Sequence, residues 1–145
     1  MIPQSITYIG SHAFYICESL EDVDIPQSVD YIGDNAFGFS GIKQLEIPHG
    51  VEVIEKSMAY GCHSLTSVSI PDTVKVIKDC AFDSCDHVKQ IVIPASVASI
   101  GMNSLDWDME SVLFMGKTIE EVKDMDNYPF GTFSANISAE LKTHI

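Results

Sequence analysis

The sequence predicts a solenoid of about five stacked coils with parallel strands, closed at the C-terminal end by a short helical cap. Three observations predict it. Ile-Pro recurs at Ile2-Pro3, Ile25-Pro26, Ile47-Pro48, Ile70-Pro71 and Ile93-Pro94, at spacings of 23, 22, 23 and 23 residues. Around these pairs runs one apolar frame: residues five and two before the isoleucine (Leu20 and Val23, Ile42 and Leu45, Leu65 and Val68, Val88 and Ile91), then a pair three apart after the proline (Ile6 and Ile9, Val29 and Ile32, Val51 and Ile54, Val74 and Ile77, Val97 and Ile100). Past Val112 the frame gives way to Thr118-x-x-Glu121, a helix-capping pattern. Self-similarity at a fixed period near 23 is what a stack of coils leaves in a sequence, because no single coil can bury its own apolar face.

Each element follows from the frame. In Leu65-x-x-Val68-x-Ile70 the end alternates, so Val68 and Ile70 face one way while Ser67 and Ser69 face the other. Pro71 has no N–H to give a ladder and ends the strand. Val74 to Ile77 is a second extended step. Ala81, Phe82 and Cys85 then fall four, five and eight residues after Ile77, which suits a short helical turn. Eight residues of this coil therefore face inward: Leu65, Val68, Ile70, Val74, Ile77, Ala81, Phe82 and Cys85. Residues 1–19 make an incomplete first coil, entered at its Ile-Pro, and residues 20–87 hold the regular coils. The fifth is contracted, and Met109, Val112 and Phe114 supply a final strand. The solenoid occupies 1–115 and the cap 116–145, where a helix runs from Thr118 to about Met125 with Ile119 and Val122 on one face. Tyr128-Pro129-Phe130 wedges beneath it.

The motif carriers Ile9-Gly10 with Ala13-Phe14 and Cys17, Ile32-Gly33 with Ala36-Phe37, and Ile77 with Ala81-Phe82 and Cys85 give the pattern a family look. It resembles the BspA-like branch of bacterial leucine-rich repeats over residues 1 to about 115. The resemblance implies an α/β fold, a right-handed leucine-rich-repeat solenoid used for binding proteins, often on bacterial surfaces. Met58-Ala59 and Ser104-Leu105 depart from the Ala-Phe pattern, and the second repeat is one residue short with Ser40 at the cysteine position; looser packing is expected there.

The charge is lopsided, with 21 acidic residues against eight basic ones and no arginine, a net −13. Residues 1–42 carry six acids (Glu18, Glu21, Asp22, Asp24, Asp30, Asp34) and no lysine, and a second cluster of seven acids and two lysines runs from Asp106 to Asp126. Direct nucleic-acid binding is not expected, because phosphate contacts need a basic stripe. No membrane span is expected either, since no run of 18 apolar residues occurs. Met1 leads straight into Ile2-Pro3 with no signal peptide, so the chain as it stands reads as cytoplasmic, and as cell-surface or secreted if it is a piece of a longer protein.

Chemistry is hard to find. Cys17, Cys62 and Cys85 share one inward position and Cys80 lies outside it; small buried apolar residues are the ordinary reading of such cysteines. Stacked in register, Cys62 and Cys85 would hold parallel Cβ vectors about 4.8 Å apart, whereas a disulfide prefers about 3.8 Å, so all four are expected as free thiols. Cys62-His63 and Cys85-Asp86-His87 lack zinc-site spacing, and no metal or other cofactor is expected. There is no phosphate loop, nucleophile elbow or His-Glu-x-x-His, and the histidines share no column, so the protein does not read as an enzyme.

What remains is surface. One outward column runs through Asp22 and Asp24, Gln44 and Glu46, Ser67 and Ser69, then Gln90 and Val92. A second runs through Tyr8, Tyr31, Val53, Val76 and Ser99. Tyrosine beside acid is the chemistry of a protein-binding hot spot, so the candidate binding residues are Tyr8, Asp22, Asp24, Tyr31, Glu46, Val53 and Val76. The expected function is recognition of a protein partner with a basic surface. The alternatives are a small acidic inhibitor or nucleic-acid mimic acting on a nucleic-acid-handling protein, and a fragment of a bacterial surface adhesin. The N-terminal coil begins bare at Ile2, so its edge is a candidate interface. The acids from Glu18 to Asp34 oppose self-pairing there and favour a basic partner; oligomeric state is not set by the sequence.

Overall fold

A computed structural model describes residues 2–105, 109–132 and 135–142. Among the described residues ten strands and one helix follow in order: β1 (Tyr8–Ile9), β2 (Tyr31–Ile32), β3 (Gln44–Glu46), β4 (Val53–Ile54), β5 (Ser67–Ser69), β6 (Val76–Ile77), β7 (Gln90–Ile93), β8 (Ser99–Ile100), β9 (Ser111–Met115), α1 (Ile119–Lys123) and β10 (Asn136–Glu140). They wind into a parallel-strand solenoid of about six turns, one more than the five expected.

Strand pairing is parallel throughout and joins like positions of successive coils. One strand column holds the ladder of β1 with β2 and that of β4, β6 and β8; the other holds β3 with β5, and β7 with β9 and β10. Register follows the repeat: Tyr8 faces Tyr31, Val53 faces Val76, and Val76 faces Ser99. The isoleucines on the opposite face of these strands fill the core: Ile32, Ile54 and Ile77 are fully buried and Ile9 and Ile100 nearly so.

The third side of each coil is not the helical turn expected from the Ala-Phe spacing. Six consecutive N–H groups show why. Those of Ser57, Ala59 and Gly61 donate to Asp79, Ala81 and Asp83 of the next coil, while those of Met58, Tyr60 and Cys62 reach back three residues to Glu55, Ser57 and Ala59. A helix of six residues would leave its first four N–H groups without a partner inside the coil; alternation lets half of the six stitch coils together and leaves none of them unpaired. Two left-handed residues per turn make the path possible. One column is His12, Asn35, Ser57, Cys80 and Asn103, and the other is Ile16, Phe39, Gly61 and Ser84, all with φ between 54° and 69°.

Packing is even where the motif departs. Met58, Ala59, Ser104 and Leu105 are all fully buried, so the looseness expected there is absent. Ser104 Oγ lies 2.8 Å from both the Lys78 and Gly101 carbonyls, which satisfies a hydroxyl in place of an apolar group. Of the eight inward residues of the coil from Leu65 to Cys85, six are fully buried, and Val68 and Ile70 are half-buried. The reason is a break: β5 and β7 lie side by side without a ladder, and a groove opens between them. Burial also thins at the first coil. Ala13 is exposed and Phe14 half-buried, where Ala36 and Phe37 in the next coil are fully buried.

At the other end the stack is covered. Thr118 accepts from the Glu121 N–H while Glu121 accepts from the Thr118 N–H, a reciprocal capping box that starts α1. Val122 of α1 is fully buried, and the rings of Phe114 and Phe130 pack with centroids 5.7 Å apart. Phe130 O accepts from the Leu105 N–H, so this segment occupies the place of the next coil's turn. Strand β10, which the sequence reading does not include, continues the β9 ladder over five residue pairs. Among the described residues no helix is long and apolar enough to cross a membrane.

Candidate functional site

The outward positions of β1, β2, β4 and β6 carry the predicted column. Tyr8 is 64% exposed and Tyr31 43%, and they stand side by side on paired strands. Val53 and Val76 are half-buried, sheltered by the neighbouring coils, and Ser99 is exposed. No ladder pairs β2 with β4. The column therefore splits into a tyrosine pair and a valine pair with an opening between them.

That opening is a recess of about 220 Å³ lined by Asp30, Tyr31, Gly50, Glu52, Val53 and Glu55. The short second repeat falls between β2 and β4. The chain has one residue fewer between Ser40 and Ile42 than between Cys17 and Leu20 or Cys62 and Leu65. Its corner is drawn tight at Gly41, whose N–H donates to Cys17 O at 3.1 Å. A Cβ on Gly41 would collide with the Glu18 carbonyl oxygen. On the turn side the two coils remain stitched, with the N–H groups of Asn35, Phe37 and Phe39 donating to Lys56, Met58 and Tyr60.

Three carboxylates face this recess beside an aromatic and an aliphatic side chain. Glu55 is nearly buried and accepts from Lys78 Nζ at 2.9 Å; Glu52 accepts from Lys75 Nζ at 3.0 Å. The Glu55 carboxylate raises the Lys78 ammonium above its ordinary value, first through the hydrogen bond and then through charge. None of Asp30, Glu52 and Glu55 is among the candidate binding residues read from the sequence, where Asp30 figures only in the N-terminal acidic cluster. They flank the column residues in the chain (Asp30-Tyr31, Glu52-Val53-Ile54-Glu55), a signal that registering the neighbours of each outward position exposes.

The other predicted residues are dispersed. Asp22 and Asp24 are exposed on either side of half-buried Val23, but this stretch forms no strand; its link to the next coil is Lys43 N–H to Glu21 O at 3.0 Å. Glu46 lines the groove of about 580 Å³ between β5 and β7, with Ser67, Ser69, Gln90 and Val92. Val76 belongs to a recess of about 320 Å³ that carries Lys56, Lys78, Asp79 and Asp126. The structure thus sets Tyr8 beside Tyr31 and Val53 beside Val76, opens one recess to Tyr31 and Val53, and places Asp22, Asp24 and Glu46 elsewhere. Asp106 and Asp108 of the second acidic cluster lie outside the described residues.

The cysteine column is interior. Cys62 Sγ donates to Phe37 O at 3.0 Å and Cys85 Sγ to Ala59 O at 3.1 Å, and burial raises both thiols, Cys85 well above the ordinary value. At the adjacent corner His63 Nδ1 lies 3.1 Å from Asp86 Oδ1, with His87 at 3.5 Å. The His63 contact holds the exposed Asp86 carboxyl below its usual range. Among the described residues no group of three or more histidine, cysteine or acidic side chains is placed to hold a metal ion.

Sequence reasoning also missed an aromatic row on the turn side. Tyr15 and Phe39 pack edge-to-face with centroids 6.0 Å apart, Phe39 and Tyr60 at 5.3 Å, and His12 and Tyr15 at 5.0 Å. Ile16 beside them is 54% exposed and Phe39 37%. The pattern is visible only in register, since Tyr15 and Tyr60 hold one position of the repeat and Ile16 and Phe39 the next.

Comparison with known proteins agrees with this architecture. The pattern of the BspA type leucine rich repeat region matches residues 1–109 in six copies. A leucine-rich repeat protein from Bacteroides ovatus superposes with a TM-score of 0.68 at 21% identity, over 97% of this chain and 45% of that one. The pneumococcal vaccine antigen PcpA gives 0.69 at 24% identity, over 78% of this chain and 29% of that one. A leucine rich cell surface protein from Faecalibacterium prausnitzii gives 0.60 at 30% identity, over 78% of this chain and 38% of that one. The chain spans less than half the length of each of these three. No curated protein matches it.

Proposed function

Because the chain belongs to the BspA-type leucine-rich repeat family, we propose that it is a non-enzymatic module that binds a protein partner through its acidic, tyrosine-bearing repeat surface. The observation that carries this is the recess in which Tyr31 and Val53 stand among Asp30, Glu52 and Glu55, next to the exposed Tyr8. Tyrosine and valine give contact area that exchanges water for apolar surface, and the carboxylates select a cationic side chain. Lys75 and Lys78 already pair with Glu52 and Glu55, so a partner's lysine or arginine meets Asp30 as the carboxylate left for it and competes for the other two. Asp22, Asp24 and Glu46 add a negative field that speeds encounter with a basic surface.

The cell-surface reading has one observation in its favour, the likeness to the F. prausnitzii cell surface protein. On that reading the module is part of a longer bacterial surface protein and its partner is extracellular. The reading as an inhibitor or nucleic-acid mimic rests on the −13 charge alone. Partner capture at low and high salt, with the Tyr8→Ser/Tyr31→Ser variant beside the natural chain, tests the proposal. Capture that survives high salt and is lost with the tyrosines supports it. Capture that collapses at high salt and ignores the tyrosines points to a mimic and overturns it.

A further inference from the structure

We infer that the junction between β5 and β7 is a seam that opens and closes, so that this strand column presents either a continuous face or a cleft to whatever lies across it. The inference does not rest on the tyrosine recess, which belongs to the other strand column. It begins from bonds that the repeat calls for and the structure leaves unmade. In the closed part of the column the Ile47 N–H donates to Ser69 O at 3.1 Å and the Thr66 N–H to Lys43 O at 2.9 Å. One repeat of 23 residues further on, the same pattern would give the Ile70 N–H to Val92 O and the Lys89 N–H to Thr66 O. Neither bond is made, and the groove of about 580 Å³ stands between the strands instead.

The other two sides of the same junction are closed. Val76 pairs with Ser99 and Ile77 with Ile100, and the N–H groups of Cys80 and Phe82 donate to Met102 and Ser104. The opening is one-sided, with a hinge line along the β6–β8 ladder and the turn. Burial marks the same place. Leu45 and Ile47 in the coil before, and Ile91 and Ile93 in the coil after, are buried, while Val68 and Ile70 at the same inward positions are only half-buried.

The repeat itself gives no cause for the opening. Ile47, Ile70 and Ile93 follow at spacings of 23 and 23 residues, and no glycine lies between Leu65 and Ile93. The junction of β3 with β5 has the same frame and keeps its ladder. Closing would pair the stranded N–H groups and cover Val68 and Ile70, which favours it. The opposite edge of β7 works against closing: it is laddered to β9 over four residue pairs, and β9 to β10 over five. That three-stranded sheet has to turn with β7 as a unit. Closing thus carries both a gain and a cost, the condition for two populated arrangements, and opening along this one line breaks no bond on the other two sides.

Backbone amide exchange and NMR relaxation dispersion of the natural chain test this, with Ile47 and Thr66 as closed references. The Ile70 and Lys89 amides should exchange at least about tenfold more slowly than in an unstructured peptide, and at least about tenfold faster than those of Ile47 and Thr66. Both should show dispersion with one common rate, because a single motion moves both. Exchange at the unstructured rate without dispersion overturns the proposal in favour of a fixed slit. Protection equal to that of Ile47 and Thr66 overturns it in favour of a fixed ladder. In the closed form Val92 turns its N–H and C=O toward β5, so Val92→Pro removes a donor that only the closed form uses. This variant should lose the dispersion and leave Ile70 and Lys89 unprotected, with Ile47 and Thr66 unchanged; dispersion that persists in it also overturns the proposal. The natural chain decides the matter by the first criteria should the variant fail to fold.

Discussion

The ring of Phe39 fills the space that a side chain at position 61 would need: a Cβ on Gly61 would stand 2.5 Å from its Cε1 and 2.6 Å from its Cδ1. Gly61 also has φ +69°, so alanine there meets both a ring and a backbone penalty. Gly61→Ala should destabilise the fold by about 1–3 kcal/mol. In a Phe39→Gly background only the backbone part remains, about 1 kcal/mol. Urea denaturation of the four-variant cycle measures the coupling; a value near zero would mean the ring moves aside at no cost.

What was legible in the sequence follows from where each signal lives. The strand columns were legible because Tyr31, Val53 and Val76 are placed by a period of two within a strand and of about 23 between coils, and both periods are carried by buried isoleucines. The turn was not, because Ala81, Phe82 and Cys85 have helical spacing while the path between them depends on left-handed residues. Ile16 and Phe39 are among the residue types least suited to that conformation, so local propensity argues against what the coil stack imposes. Strand β10 was missed because Ile137 and Ala139 are half-buried at the last edge and repeat no Ile-Pro. The carboxylates of the recess flank Tyr31 and Val53 in the chain, and a frame built from the apolar positions alone passes over them.

The exposure of the tyrosine pair sets a stability expectation. Tyr8 and Tyr31 face solvent on adjacent strands, so Tyr8→Ser/Tyr31→Ser should cost less than about 1 kcal/mol in thermal or urea unfolding. A loss of several kcal/mol would make them core residues and remove the strand-face site.

The thiols differ in access and in acidity. Cys62 and Cys85 are fully buried, and burial raises them; Cys80 is raised by partial burial and then by Asp83 and Asp79. Iodoacetamide at neutral pH should therefore label half-buried Cys17 first, Cys80 more slowly, and the buried pair only on unfolding. Unfolded, unreduced protein should carry four adducts by mass spectrometry. Two adducts would reveal a disulfide.

Asp86 makes the stability depend on acidity in one direction. Its folded carboxyl is depressed by the hydrogen bond from His63. A depressed carboxylate contributes stability that is fully present above its unfolded value, near pH 4, and that fades as pH falls through the lower folded value. The difference in melting temperature between the natural chain and Asp86→Asn should shrink as pH is lowered from about 4 to about 2. A difference that grows in that window would show that the carboxylate is not favoured by folding. The group is exposed, so the whole effect is small.

The tight corner at Gly41 gives the most demanding prediction. The second repeat has lost one residue between Ser40 and Ile42, and the chain crosses the gap by pressing its backbone against the coil before it. Gly41 donates to Cys17 O, and a Cβ would meet the Glu18 carbonyl oxygen, which is backbone and cannot swing away as a side chain can. Gly41→Ala should therefore cost about 2–4 kcal/mol, in the range of overpacked or strained interior positions, although the residue is only half-buried. The remedy follows from the cause. Inserting one serine after Ser40 restores the 23-residue spacing, lets the corner swing out as it does at Glu18-Ser19 and His63-Ser64, and should make Gly41→Ala nearly neutral in the lengthened chain. The same insertion should close the ladder between β2 and β4 and shrink the recess of Asp30, Glu52 and Glu55. Amide hydrogen exchange at Glu52 and Glu55 reads this directly: their counterparts Lys75 and Lys78 donate to Glu52 O and Ile54 O, and protection should appear at Glu52 and Glu55 only in the lengthened chain. If Gly41→Ala costs the same with and without the insertion, the close approach to Glu18 belongs to the coil path itself and the missing residue does not open the recess.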